Sequence, residues 1–147
     1  MSSECQPVYL QPELDITNGL QSNSVRVIKE DNQNRIWLGT DHCLVVLNDN
    51  GSLFRSITDK FSGHQIYGLA FNKDHVFIGS KFNGLYIFNL LNRQLEKHFD
   101  TSQIGLCLKV KAFRDTIFFG TSKSAFYIVT KNGEWNLTKI SCADISV

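Results

Sequence analysis

Proline is scarce in this chain of 147 residues, with Pro7 and Pro12 as its two copies, and nothing after position 12 bars a residue from a strand on that ground. Long apolar runs are missing too. The longest, Leu85 to Leu91, is interrupted by Asn89 and falls far short of the roughly 18 residues needed to cross a bilayer. Neither sign of charge dominates. Fifteen basic side chains face fourteen acidic ones, for a formal charge of +1, so no electrostatic track for nucleic acid is present. Glu4, Glu13 and Asp15 precede the first basic residue, Arg26, which is not the pattern of a secretory signal. The chain therefore reads either as cytoplasmic or as a piece of a longer exported protein.

Paired cysteine motifs are also lacking. Cys5, Cys43, Cys107 and Cys142 are scattered, with no Cys-x-x-Cys spacing for zinc or redox chemistry, and read as small apolar residues, three of them in strands. An oxidising compartment would permit a bridge from Cys43 to Cys107 or Cys142, and spacing does not choose between these states. Enzyme signatures are missing as well: no Gly-x-Ser-x-Gly elbow, no His-Glu-x-x-His, no phosphate loop. His42, His64, His75 and His98 stand in separate segments, which suits surface residues better than a metal site. Glu30 and Asp31 are neighbours, so on a strand they point to opposite faces and form no acid-base pair. The expectation is no cofactor, no metal and no catalysis.

What the chain does have is a phrase said three times. Ile36-Trp37-Leu38-Gly39-Thr40 returns as Val76-Phe77-Ile78-Gly79-Ser80 and as Ile117-Phe118-Phe119-Gly120-Thr121, the glycines spaced by 40 and 41 residues. A period near forty signals a propeller or solenoid. Around each phrase the β-branched residues and turn residues predict four short strands. In the first unit these are Ser24–Glu30, Ile36–Thr40, Cys43–Asn48 and Ser52–Thr58, with turns at 31–35 and at Asp49-Asn50-Gly51. The second unit reads Ile66–Phe71, Val76–Ser80, Gly84–Asn89 and Gln94–Phe99, and the third Leu106–Phe113, Ile117–Thr121, Ala125–Thr130 and Glu134–Ser141. No segment shows helical periodicity. The fold class is therefore all-β, a β-propeller fragment of about three four-stranded antiparallel blades, divided as 1–17 (an arm or partial strand, with Val8-Tyr9-Leu10 as a candidate edge strand), 18–59, 60–100 and 101–147.

In an up-and-down sheet of strands A to D, the A–B and C–D turns lie at one end, and the B–C and D–A connections at the other. The first end is short Asn, Asp and Gly turns. The second carries Asp41, His42, His64, Gln65, Lys81, Phe82, Asn83, Ser122 and Lys123, which are the candidate ligand-binding residues because loops on a rigid sheet collect recognition groups. Trp37, Phe77 and Phe118 are expected to be buried between blades, and Gly39, Gly79 and Gly120 to permit close approach of the next blade's backbone or to serve a bulge.

The run Gly19-Leu20-Gln21-Ser22-Asn23-Ser24-Val25-Arg26-Val27-Ile28-Lys29-Glu30-Asp31, leading into Asn34-Arg35-Ile36-Trp37-Leu38-Gly39-Thr40, resembles the two-component regulator propeller family. Units two and three keep the strand-B phrase but lack the Glu-Asp pair and have Phe for Trp. The resemblance implies a sensor segment of a hybrid histidine kinase system of Bacteroidetes type, periplasmic, responding to a carbohydrate and passing its signal to a kinase core that this chain does not carry. The alternative is a WD-like protein-interaction propeller with no small ligand, which Gly63-His64 and Phe99-Asp100 echo in the second unit. Three blades do not close a ring, since propellers ordinarily have four or more. Self-association, with two copies making a six-bladed ring, or cover by further blades of a longer sensor is therefore expected.

Overall fold

The computed structural model describes residues 24–141, and the N-terminal arm, the Asn18-Gly19 turn, Cys5 and Cys142 lie outside them. Three antiparallel sheets follow one another along the chain. The first contains β1 (Val25–Glu30), β2 (Ile36–Thr40) and β3 (Leu44–Leu47). β4 (Ile66–Phe71), β5 (His75–Ser80), β6 (Gly84–Asn89) and β7 (Leu95–Phe99) form the second, and β8 (Cys107–Phe113), β9 (Thr116–Thr121), β10 (Ala125–Lys131) and β11 (Glu134–Ile140) the third. Each strand pairs with its sequence neighbours, so every connection within a sheet is a hairpin. Residues with positive φ sit in these turns: Asn34, Arg93, Arg114 and the Asn132-Gly133 pair.

The sheets stack face to face, and apolar residues point to both faces because each seam needs its own core. Trp37, Val46, Leu69 and Ile78 fill the seam between the first two sheets, together with Ile57 and Phe61. Ala70, Phe77, Ile87, Ile117, Phe119 and Ile128 fill the seam between the second and third. The innermost strands β1, β4 and β8 approach one another across the seams, the geometry expected when sheets radiate from a common axis.

The first sheet departs from expectation. Ser52–Thr58 is not a fourth strand: after one bridge between Leu47 and Leu53 the chain turns into α1 (Arg55–Thr58) and a 3-10 turn, Asp59–Phe61. Phe54, Ile57 and Phe61 are spaced by three and four residues, a helical period, and that turn of helix drives Ile57 and Phe61 into the first seam, where both are fully buried. A second short helix, α2 (Thr101–Ile104), replaces the predicted loop after β7. Asp100 accepts from the backbone N–H groups of Ser102 and Gln103 while Gln103 reaches back to the Asp100 N–H, a capping box that starts the helix where the strand ends.

Phe118 is the second departure. Trp37 and Phe77 are fully buried, each against the sheet that follows it in the chain, but Phe118 is 38 % exposed. The reason is positional, since the described chain has no sheet after the third. Cys43 and Cys107 are buried in different clusters, and no bridge joins the two. Burial pushes the Cys107 thiol up to about 12, which keeps it protonated and inert.

Candidate functional site

The small hydroxyl that closes each repeat phrase is a turn staple. Thr40 Oγ1 accepts from the N–H groups of His42 (3.1 Å) and Cys43 (3.0 Å) and donates to the Cys43 carbonyl, and Thr121 makes the same three bonds with Lys123 and Ser124. These hydroxyls fix the B–C loops. Ser80 works differently: its buried hydroxyl donates to Asn83 Oδ1 (3.1 Å) and is hydrogen-bonded to His64 Nδ1 (3.3 Å).

All three innermost strands carry a β-bulge at the same place, between Val25 and Val27, Ile66 and Gly68, and Cys107 and Lys109. The extra residues are Arg26, Tyr67 and Leu108. A bulge takes one residue out of the in-out alternation and re-aims its side chain. Arg26 and Tyr67 meet as a result, the guanidinium lying over the ring at 5.4 Å. Arg26 also grips Asp41 with two hydrogen bonds, Nε to Oδ1 at 2.7 Å and Nη2 to Oδ2 at 2.9 Å. That bond raises the Arg26 pKa and lowers the Asp41 one, so both groups are ionised at neutral pH. Lys81 places its ammonium over Tyr67 (5.3 Å) and over Phe82 (5.1 Å), and Phe82 is 53 % exposed.

The structure thus brings Asp41, Lys81 and Phe82 together and adds Arg26 and Tyr67, which sequence reasoning missed. Their signal was one surplus residue in each strand, visible only against the period of two. The other candidates have structural partners. Ser122 Oγ accepts from the Leu106 N–H (3.0 Å), Lys123 Nζ reaches the Ser102 carbonyl of α2 (3.3 Å), and the Gln65 carbonyl accepts from Lys81 N (2.8 Å). His42 gives its carbonyl to the Gly63 N–H (2.6 Å). His64 and Asn83 make a second set of contacts with Tyr86 and His98, whose rings stack at 4.0 Å, and His98 Nε2 donates to the Asn83 carbonyl. Burial lowers the His64 pKa, and the nearby His98 adds to it. Among the described residues no group of His, Cys, Asp and Glu is arranged to hold a metal ion, and no helix is long and apolar enough to cross a membrane.

Asp31 organises the first hairpin. Its carboxylate accepts from Gln33 N, Arg35 N, Arg35 Nε (2.7 Å) and Trp37 Nε1 (2.8 Å). Burial pushes its pKa up, but the four hydrogen bonds outweigh that and hold it below the usual carboxylate range. An acid, an Arg and the strand-B Trp are thereby locked together, and residues 19–42, which include all three, match the family described as "Two component regulator propeller". The first blade is thus similar to a two-component regulator propeller repeat over those residues. In the second blade Asn72 takes the place of the acid, its Oδ1 accepting from Asp74 N and His75 N, so this repeat's hairpin survives without the Trp lock.

Solved structures place the repeat in its fold. The chain aligns with the beta-propeller domain of Myceliophteria thermophila Cps50 (Swd1) at a TM-score of 0.63 and 8 % identity, over 84 % of this chain and 41 % of that one. The computationally designed Ika8 protein aligns at 0.57 and 19 %, over 76 % and 35 %. The extracellular domain of a putative hybrid two component system from B. thetaiotaomicron aligns at 0.44 and 18 %, over 85 % and 23 %. The first establishes the β-propeller fold, and the chain spans less than half the length of each of the three. Among curated proteins there is no match.

Proposed function

We propose that this chain is a ligand-sensing segment of a two-component signalling propeller, acting by binding rather than catalysis, on the periplasmic or extracellular side of the membrane, and that its ligand is a carbohydrate. The repeat over residues 19–42 supports the signalling role. The observation that carries the ligand is the cluster of Arg26, Asp41, Tyr67, Lys81 and Phe82. A sugar ring offers an apolar face to an aromatic ring and vicinal hydroxyls to a fixed donor-acceptor pair. Tyr67 or Phe82 supplies the first and the Arg26–Asp41 fork the second. Because the cluster takes Arg26 and Asp41 from the first blade and Tyr67, Lys81 and Phe82 from the second, a ligand gripping both favours one arrangement of the seam over another, and a kinase elsewhere reads that difference.

Calorimetry of the full chain against a panel of neutral and acidic oligosaccharides tests this. At least one member binds, and Tyr67→Ala abolishes the heat while leaving the circular dichroism unchanged. Binding that survives Tyr67→Ala, or no binding to any glycan, sinks the carbohydrate reading. The protein-interaction reading then gains, with the His64, Ser80 and Asn83 network beneath Gly63-His64 as the feature in its favour.

A further inference from the structure

Each repeat glycine has a reason to be glycine except one. A Cβ on Gly39 would lie 2.7 Å from Ile66 Cγ2 and 2.9 Å from the Ile66 carbonyl, both on the innermost strand of the next blade. A Cβ on Gly79 would lie 3.0 Å from Cys107 Sγ and 3.1 Å from Val110 Cγ2, again on the innermost strand of the next blade. A Cβ on Gly120 would meet nothing within 4 Å. The same hole appears beside it, where Phe118 is exposed at the register position of the buried Trp37 and Phe77, and a recess of about 210 Å³ is lined by Lys109, Lys111, Phe118, Gly120 and Ile140 among others. The third blade is shaped for an innermost strand that the described chain does not supply.

The register says what that strand looks like. Ile66 and Cys107, which fill the glycine sockets, pair with Ser80 and Thr121, and the residue paired with Thr40 is Val25. Leu69 and Val110, on the face turned to the preceding blade, correspond to Ile28, which pairs with Leu38. Val25 is 40 % and Ile28 62 % exposed, whereas Ile66, Cys107 and Leu69 are buried. The first blade thus presents the unfilled plug, and the third the unfilled socket. Charge agrees with shape: the socket face carries Lys109 and Lys111 on β8, and the plug face carries Glu30 two residues after Ile28. In neither internal seam does a carboxylate stand at the Glu30 position, where Phe71 and Ala112 are found.

We propose that the third-blade face docks on the first-blade face of a second copy of this chain, and reciprocally, so that two chains close a six-bladed ring. A head-to-tail contact repeated twice about a two-fold axis leaves no face over, and six blades lie within the range at which propellers close. Val25 of one protomer enters the Gly120 socket of its partner, Ile28 covers Phe118, and Glu30 faces Lys111.

Sedimentation velocity on the full chain across a wide concentration range gives the mass of two chains. Gly120→Val, whose Cβ would meet nothing within 4 Å in one protomer, gives a folded single chain with unchanged circular dichroism. Lys111→Glu weakens the dimer about tenfold, the scale of one lost charge pair, and adding Glu30→Lys to it restores the affinity. A mass of one chain at every concentration, or of three or more, overturns the proposal, as does a dimer indifferent to Gly120→Val. A single chain would mean that residues outside 24–141 or a different protein cover the two faces.

Discussion

Asp31 shows how much one carboxylate can hold. Its side chain receives four hydrogen bonds, two of them from the buried Arg35 and Trp37 side chains, and Arg35 in turn lays its guanidinium over Phe54 at 4.5 Å. Removing the acid leaves a buried guanidinium and an indole N–H without their acceptor. Asp31→Ala is expected to cost on the order of 3 kcal/mol in urea unfolding, as breaking one half of a buried ion pair does. Asp31→Asn, which keeps an acceptor for Trp37, loses less. His64 sets a different dependence. Its pKa is lowered in the fold, so the unfolded chain binds the proton more readily, and the stability His64 confers is complete above its unfolded value near 6.5 and lost as pH falls through the folded value. The urea midpoint should therefore drop between pH 7.5 and pH 5.5, above the range in which Asp31 and Glu96 titrate, and His64→Gln should flatten that drop.

At the scale of elements, the strand-B glycine is a spacing device, and its substitution separates packing from propensity. Valine favours a strand, yet Gly79→Val must push against Cys107 and Val110, and the expected net effect is a loss of about 1–3 kcal/mol measured by thermal or urea unfolding. What the sequence makes legible follows from the same packing. Blades repeat because every seam demands a large ring, a gap and a hydroxyl turn at the same positions, so Trp37, Phe77, Gly39 and Gly79 stand out by recurrence. α1 does not recur. The helical spacing of Phe54, Ile57 and Phe61 lies where the repeat predicts an outer strand, and the stronger pattern masked the weaker. The bulges left still less trace, since a backbone irregularity adds one residue and no new residue type, and with them Arg26 and Tyr67 went unseen. Asp31 was legible as a turn residue after β1, but its bonds to Arg35 and Trp37 were not, because only the folded hairpin brings a residue six positions on within reach of the carboxylate.

At the scale of the molecule, the loop end and the blade faces have separate tasks. Asp41, Lys81 and Phe82 sit beside the bulged Arg26 and Tyr67, while Lys123 ties the third blade to α2 and Ser122 holds Leu106 at the entry to β8, so both brace the scaffold. The exposed apolar residues Val25, Ile28 and Phe118 lie on the outward faces of the first and third blades, Val25 beside Arg26 but turned to the opposite seam from Tyr67. Ligand recognition and association can therefore be disabled independently, Tyr67→Ala touching one and Gly120→Val the other.

The chain has two tryptophans, and each stands guard over one seam. Trp37 is sealed between the first and second blades with its indole N–H on Asp31, and Trp135 leans from the third blade to the second, its N–H on Glu96 at 3.2 Å and its ring edge-on to His75 and Phe77. The protein is thus born with a pair of optical strain gauges. A ligand that slides the first blade against the second changes the emission of Trp37 alone, and one that parts the second from the third quenches or shifts Trp135, so the path of a signal through the stack can be followed without attaching a label.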